Sequence, residues 1–166
     1  YSVVATDANG CSNNSTVSII ANDDIAPSAV AQDVSISLDG NGMATIDADM
    51  VDAFSFDNCE ITSRTLDLYQ FDCANLCENI VQFTVPDGVG NNSMTTAMVT
   101  VLDNISPIIT CDQTTVMGNC SEVVNYVLPT GADNCSANPA ELLIGLGSGA
   151  VFPVGNSIEV YRVTDN

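Results

Sequence analysis

The sequence predicts an all-β protein made of small antiparallel sandwiches arranged in tandem. Three observations predict it. Val, Ile, Thr, Ser, Asn and Gly dominate a chain that is 46% apolar but only 5% aromatic, a usage rich in strands and turns. Short runs alternate apolar and polar residues, as in Thr16-Val17-Ser18-Ile19 and Val34-Ser35-Ile36-Ser37-Leu38, the two-residue period of a half-buried strand. Finally, Asp23-Asp24-Ile25-Ala26-Pro27 returns 80 residues later as Asp103-Asn104-Ile105-Ser106-Pro107. A fixed period of this kind marks repeated units.

The repeat divides the chain into three segments. Residues 1–24 read as the C-terminal hairpin of a preceding unit. Its strands are Tyr1 to Thr6 and Thr16 to Ala21, joined by Asp7-Ala8-Asn9-Gly10, where Asn-Gly is a strong hairpin signal. Residues 25–104 read as one complete unit. Val34 to Leu38 and Met43 to Asp47 flank the turn Asp39-Gly40-Asn41-Gly42, and Asp49 to Phe54 is a helical turn or an irregular link. Strands near Ile61 to Tyr69, Asn79 to Val85 and Met94 to Leu102 follow, the last two joined through Asp87-Gly88-Val89-Gly90. Six or seven short strands with turn residues between them fit an antiparallel sandwich. Residues 105–166 begin another unit, with strands at Ile108 to Cys111, Val123 to Leu128 and Ser157 to Val163 and a turn at Gly118-Asn119. The sequence places its end before that unit's last strand, so the chain reads as a piece cut out of phase with its own repeat.

Composition narrows the function classes. Two basic residues, Arg64 and Arg162, face 21 acidic ones, for a formal net charge of −19. Nucleic acid and anionic membrane surfaces would be repelled, and no apolar run is long enough to insert in a membrane as a helix. Lysine and histidine are absent. The commonest general base, the Schiff-base amine and the commonest zinc ligand are therefore missing. Seven cysteines fit an oxidising, extracellular setting, and their odd number implies a free thiol or an outside partner. Acid pairs such as Asp47/Asp49 and Asp57/Glu60 arise by chance in so acidic a chain and lack a cleft-forming insertion, so no hydrolase is read from them. The Asn-x-Ser/Thr sites at Asn13, Asn14, Asn91, Asn104, Asn119 and Asn134 are likewise expected in an Asn- and Ser-rich chain.

From Asp103 onward the chain resembles the hyalin-repeat (HYR) family. The motifs are Asp103-Asn104-Ile105-Ser106-Pro107 with Cys111, Val124-Asn125-Tyr126 with Pro129, Asp133-Asn134-Cys135, Gly149 with Phe152-Pro153-Val154-Gly155, and Val160-Tyr161 with Thr164-Asp165-Asn166. Residues 23–104 resemble a divergent relative that keeps the junction and Asp57-Asn58-Cys59 but lacks Phe-Pro-x-Gly. Residues 1–11 are similar to repeats in giant surface adhesins of gliding Bacteroidota-type bacteria. The resemblance implies tandem immunoglobulin-like sandwiches and a non-enzymatic role in adhesion or extracellular scaffolding. Cys77 and Cys120 lie outside the family's pattern.

Two constellations follow. In a sandwich with an odd number of strands, the incoming linker meets the far loops at one end. Asp23, Asp24, Asp57, Asn58 and Asp87 then converge, as do Asp103, Asn104, Asp133, Asn134 and Asp165 in the next unit. Hard oxygen donors of this kind suit Ca²⁺; the alternative is that Asp and Asn merely cap turns. Among the cysteines, Cys59 with Cys73 or Cys77 would be local to the complete unit. One of Cys111 and Cys135 is expected to pair beyond residue 166, and Cys11 before residue 1; the connectivity, Cys120 included, stays open.

The expected role is a segment of a cell-surface adhesin fibre that contacts neighbouring units or identical chains and binds surface glycans or other extracellular ligands. Two rivals are a self-polymerising filament subunit completed by strand addition from its neighbour and a carbohydrate-binding accessory module.

Overall fold

A computed structural model describes residues 1–112 and 122–165. The protein is mostly β. Its strands are β1 (Ser2–Thr6), β2 (Ser12–Thr16), β3 (Val34–Ser37), β4 (Met43–Thr45), β5 (Thr65–Leu66), β6 (Gln70–Asp72), β7 (Cys77–Pro86) and β8 (Asn92–Leu102). After the junction come β9 (Ile108–Thr110), β10 (Val123–Val124), β11 (Thr130–Ala132), β12 (Glu141–Ile144), β13 (Ala150–Val151) and β14 (Val160–Arg162). The short helix α1 (Ala48–Val51) starts at Asp47, whose carboxylate accepts the Met50 N–H, as an N-cap should.

The core lies in residues 38–101. β7 and β8 form a long antiparallel hairpin, from Cys77 opposite Val101 to Pro86 opposite Asn92. Their alternate residues Val81, Phe83, Val85, Ala97, Val99 and Val101 point inward and are buried. The main sheet runs β3-β8-β7-β5, and a β4-β6 ribbon forms separately. Phe71 from β6, Ile46 after β4 and Val51 from α1 join the same core as the sheet residues. Each such side chain contributes about 1.5–3 kcal/mol by leaving water. One pairing differs from the antiparallel expectation: β3 runs parallel to β8, Val34 opposite Val99. A parallel pair needs a long crossover, and the whole unit between β3 and β8 supplies it.

Residues 105–165 are organised differently. They hold the two-stranded pairs β9-β11, β10-β13 and β12-β14, and among the described residues none is fully buried. Tyr126 and Phe152 meet edge to face at 6.4 Å. The Tyr126 hydroxyl meets Tyr161 Oη at 2.6 Å and donates to Glu159 Oε2 at 3.1 Å. Burial, then these two contacts, push the Tyr126 phenol up from its ordinary value.

Several strand positions are corrected. The second strand of the first hairpin is Ser12–Thr16, not Thr16 to Ala21. Asp7 Oδ1 accepts the N–H groups of Asn9 and Cys11, each at 2.9 Å, which tightens the turn and brings Ser12 opposite Thr6. The ladder then closes where Val17 N–H meets Tyr1 O. The strand expected over Ile61 to Tyr69 shrinks to Thr65–Leu66, and that over Val123 to Leu128 to two residues. The Gly118-Asn119 turn lies outside the described residues.

Candidate metal centre and unit junction

The acidic linkers sit where the fold brings three loops together. At the first junction, Asp23 Oδ1 accepts the Ile25 N–H at 3.1 Å and Asn58 Nδ2 at 3.1 Å. Asn91 Nδ2 donates to Asp23 O at 3.3 Å and to Asp87 Oδ2 at 2.6 Å. Asp87, only 6% exposed, also accepts the N–H groups of Val89, Gly90 and Asn91 on Oδ1. Asp57 Oδ2 holds the N–H groups of Cys59 and Glu60. Asp24 is exposed and stands apart from these bonds.

The hydrogen bonds set the charges. The Asn58 amide, then the Ile25 N–H, hold the Asp23 carboxyl below its ordinary value. Burial works against the charged form of Asp87, but the Asn91 side chain and three backbone N–H groups outweigh it and hold that carboxyl low as well.

The second junction repeats the pattern. Asp103 Oδ1 accepts the Ile105 N–H at 3.1 Å and Asn134 Nδ2 at 3.1 Å. Ile61 bridges Asp87 in the first set, and Ala137 bridges Asp165 in the second. Asn104 donates to Ser37 Oγ at 2.8 Å. Here the acids close further: one ligand oxygen each from Asp103, Asp133 and Asp165 lies within 4.8 Å of the others. Among the described residues this is the one acid trio at ligand spacing.

The donors fit a hard cation. Asp103 Oδ2, both Asp133 oxygens and Asn134 Oδ1 are buried without a hydrogen-bond partner. Unpaired buried carboxylates are costly unless a positive charge compensates them. The chain's two arginines are engaged elsewhere, Arg64 with Asp52 at 3.0 Å and Arg162 with Glu141 at 2.8 Å. The set is all oxygen, which suits Ca²⁺ or another hard divalent ion over Zn²⁺. At the first junction Asp23 Oδ2 and Asp57 Oδ1 are also buried and unpaired, while the Asn91 amide occupies Asp87.

A disulfide joins Cys73 to Cys135, with Cα atoms 5.4 Å apart and a sequence separation of 62. It crosses the 104/105 junction. Cys73 therefore does not pair with Cys59, and Cys135 does not await a partner beyond residue 166. Cys11, Cys59, Cys77 and Cys111 are exposed thiols, and Cys120 lies outside the described residues. The β3-β4 turn completes the joint: Asn134 Nδ2 also donates to Asp39 O at 3.3 Å. Gly42 sits at φ +72°, where an added Cβ would lie 2.6 Å from Cys73 Sγ and 2.8 Å from Asn134 O.

Sequence reasoning missed Asp39, Gly42 and Asn91 as junction residues. A signal existed for Asn91, which ends the Asp87-Gly88-Val89-Gly90-Asn91 turn, an Asp-x-x-Gly turn like Asp7-Ala8-Asn9-Gly10. Nothing in the Asp39-Gly40-Asn41-Gly42 turn distinguishes it from an ordinary hairpin. No protein-family model, curated protein or solved structure matches this chain.

Proposed function

We propose that the chain is a stretch of an extracellular array of small β-units, non-enzymatic, that extends from a cell surface and mediates adhesion. In this reading the units are immunoglobulin-like sandwiches of the hyalin-repeat kind. The shared core of the main sheet and the β4-β6 ribbon supports that, as does the order of motifs from Asp103 to Asp165.

One observation carries the proposal. At Asp103-Asn104 a trio of carboxylates and a disulfide sit on the same joint, both drawing residues from either side. Such a joint resists bending and twisting, which a load-bearing fibre needs and a flexible linker does not supply. Asp103, Asp133 and Asp165, with Asn134, would hold Ca²⁺. A bound ion would offset carboxylate repulsion and fix the angle between units. The disulfide supports an oxidising location.

Calorimetry of EDTA-stripped protein tests the joint. Addition of millimolar Ca²⁺ raises Tm by several degrees, since a ligand at 100 times its Kd stabilises by about 2.7 kcal/mol. The double variant Asp133→Asn, Asp165→Asn abolishes the rise. An unchanged Tm in the parent chain defeats the cation joint. Beads coated with the chain test adhesion: equal retention of coated and bare beads on polysaccharide and glass surfaces removes the adhesive role.

A further inference from the structure

The leading ends of two units can be compared within this one chain. In both, an Asp-Asn-Cys triplet follows the junction aspartate. Asn58 Nδ2 reaches Asp23 Oδ1 at 3.1 Å, and Asn134 Nδ2 reaches Asp103 Oδ1 at 3.1 Å. Each amide also lies against the sulfur of the next residue, at 3.4 Å from Cys59 and 3.8 Å from Cys135. A strand bridge to the last turn then follows in both, at Ile61 and at Ala137. Cys59 and Cys135 therefore hold the same place.

Their surroundings differ in one respect. Beside Cys135 the face across the junction is filled by the neighbouring unit: Asp39 O accepts from Asn134, Gly42 abuts it, and Cys73 is bonded to Cys135. Beside Cys59 the corresponding face is an open cleft of about 480 Å³, bordered by Asn22, Asp23, Asn58, Glu60 and Gly88. Cys59 lines that cleft as an exposed thiol.

We propose that Cys59 is one half of a second cross-junction disulfide, its partner the cysteine at the Cys73 position of another unit of the 25–104 kind, seated in this cleft. The bonded Cys73–Cys135 pair is the template. The inference rests on reading Asp23 and Asp103 as equivalent joints. It adds that the staple is a repeating device by which one unit is locked to the next.

The bond forms by thiol–disulfide exchange with a small disulfide oxidant. The Cys59 thiolate, having released its proton to water, attacks one oxidant sulfur. The oxidant's S–S bond breaks, a mixed disulfide forms and one thiolate leaves. The incoming unit's thiolate then attacks Cys59 Sγ and expels the second oxidant thiolate. Two protein thiols lose two electrons, and the oxidant gains them as two thiols.

The test is the chain with residues 25–104 duplicated in tandem, folded in a glutathione redox buffer, alkylated and mapped by mass spectrometry. The first copy's Cys73 then faces the second copy's Cys59, while the second copy's Cys73 faces Cys135 as an internal reference. The expected result is a peptide joining first-copy Cys73 to second-copy Cys59, with loss of alkylation at that Cys59. Cys73→Ser in the first copy alone restores the alkylation. The proposal is overturned if second-copy Cys59 stays alkylated, or bonds elsewhere, in molecules whose reference pair has formed. It also falls if the reference pair forms in neither the duplicated nor the parent chain, because the template is then gone. The cation joint is judged separately, by the Ca²⁺ dependence of melting.

Discussion

Asn134 shows how much one side chain does at the joint. Its amide donates to Asp103 and to Asp39 O in the β3-β4 turn. Its neighbours are a trio acid, Asp133, and a bonded cysteine, Cys135. The β3-β4 turn must come close to it, and only a residue without Cβ permits that at position 42. Gly42→Ala has two faults: a left-handed φ, which costs about 1–2 kcal/mol for an L side chain, and a clash with Asn134 backbone. Gly40, in the same turn, has open space around it. After oxidative folding, Gly42→Ala is expected to lower the yield of the Cys73–Cys135 peptide severalfold, and Gly40→Ala to leave it unchanged. Equal yields would show that the turn does not press on the joint. The triplet Asp-Asn-Cys was legible in sequence because it recurs. The disulfide partner was not, since Cys73, Cys77 and Cys59 are equally available by spacing and only the approach of two loops decides among them.

At the scale of elements, the two sides of the junction differ in how they are held. The hairpin β7-β8 is buried along its inner face, with Phe83 fully enclosed. Phe83→Ala removes that ring and leaves a cavity, at about 3–5 kcal/mol, a large share of a small domain's stability. Phe152, in residues 105–165, is half-buried and meets Tyr126 edge-on. Phe152→Ala is expected to cost less than about 1.5 kcal/mol. Native-state hydrogen exchange checks both: β7 and β8 amides are the slowest and lose protection in Phe83→Ala, whereas Phe152→Ala affects only residues after the junction. If Phe152→Ala accelerates exchange in β8, the two parts fold as one unit. The long alternating strands β7 and β8 were legible because their pattern is continuous. The ends of β2, β5 and β10 were not. Alternation says which face a residue takes, but a strand ends where its partner ends, and turns such as Asp7 to Gly10 set that register.

For the whole molecule, two charge effects run in opposite directions with pH. The net charge of −19 works against a compact state by self-repulsion. Certain acids work the other way. Asp23 and Glu159 are held below their ordinary values mainly by hydrogen bonds from Asn58 and the Leu146 N–H respectively, and Asp39 mainly by the Met43 N–H. Asp87 and, beside Ser55 and Arg64, Asp52 are held low despite their burial. A carboxyl whose folded pKa is depressed gives stability that is complete above the unfolded value, about 4, and is lost as pH falls through the folded value. Ordinary carboxyls protonate first and relieve repulsion; the hydrogen-bonded ones protonate last. Tm in EDTA is therefore expected to be flat from pH 8 to about 5, to rise slightly near pH 4, and to fall steeply only below about pH 3.5. At pH 7 added NaCl raises Tm, because about 0.1 M salt cuts the range of repulsion to about 10 Å. At pH 4 the same salt has a smaller effect, since fewer charges remain to screen. Asp87→Asn flattens the acid limb of the curve without altering the response to salt. A Tm that falls steadily from pH 7 downward would mean that groups other than these carboxylates govern the stability of the chain.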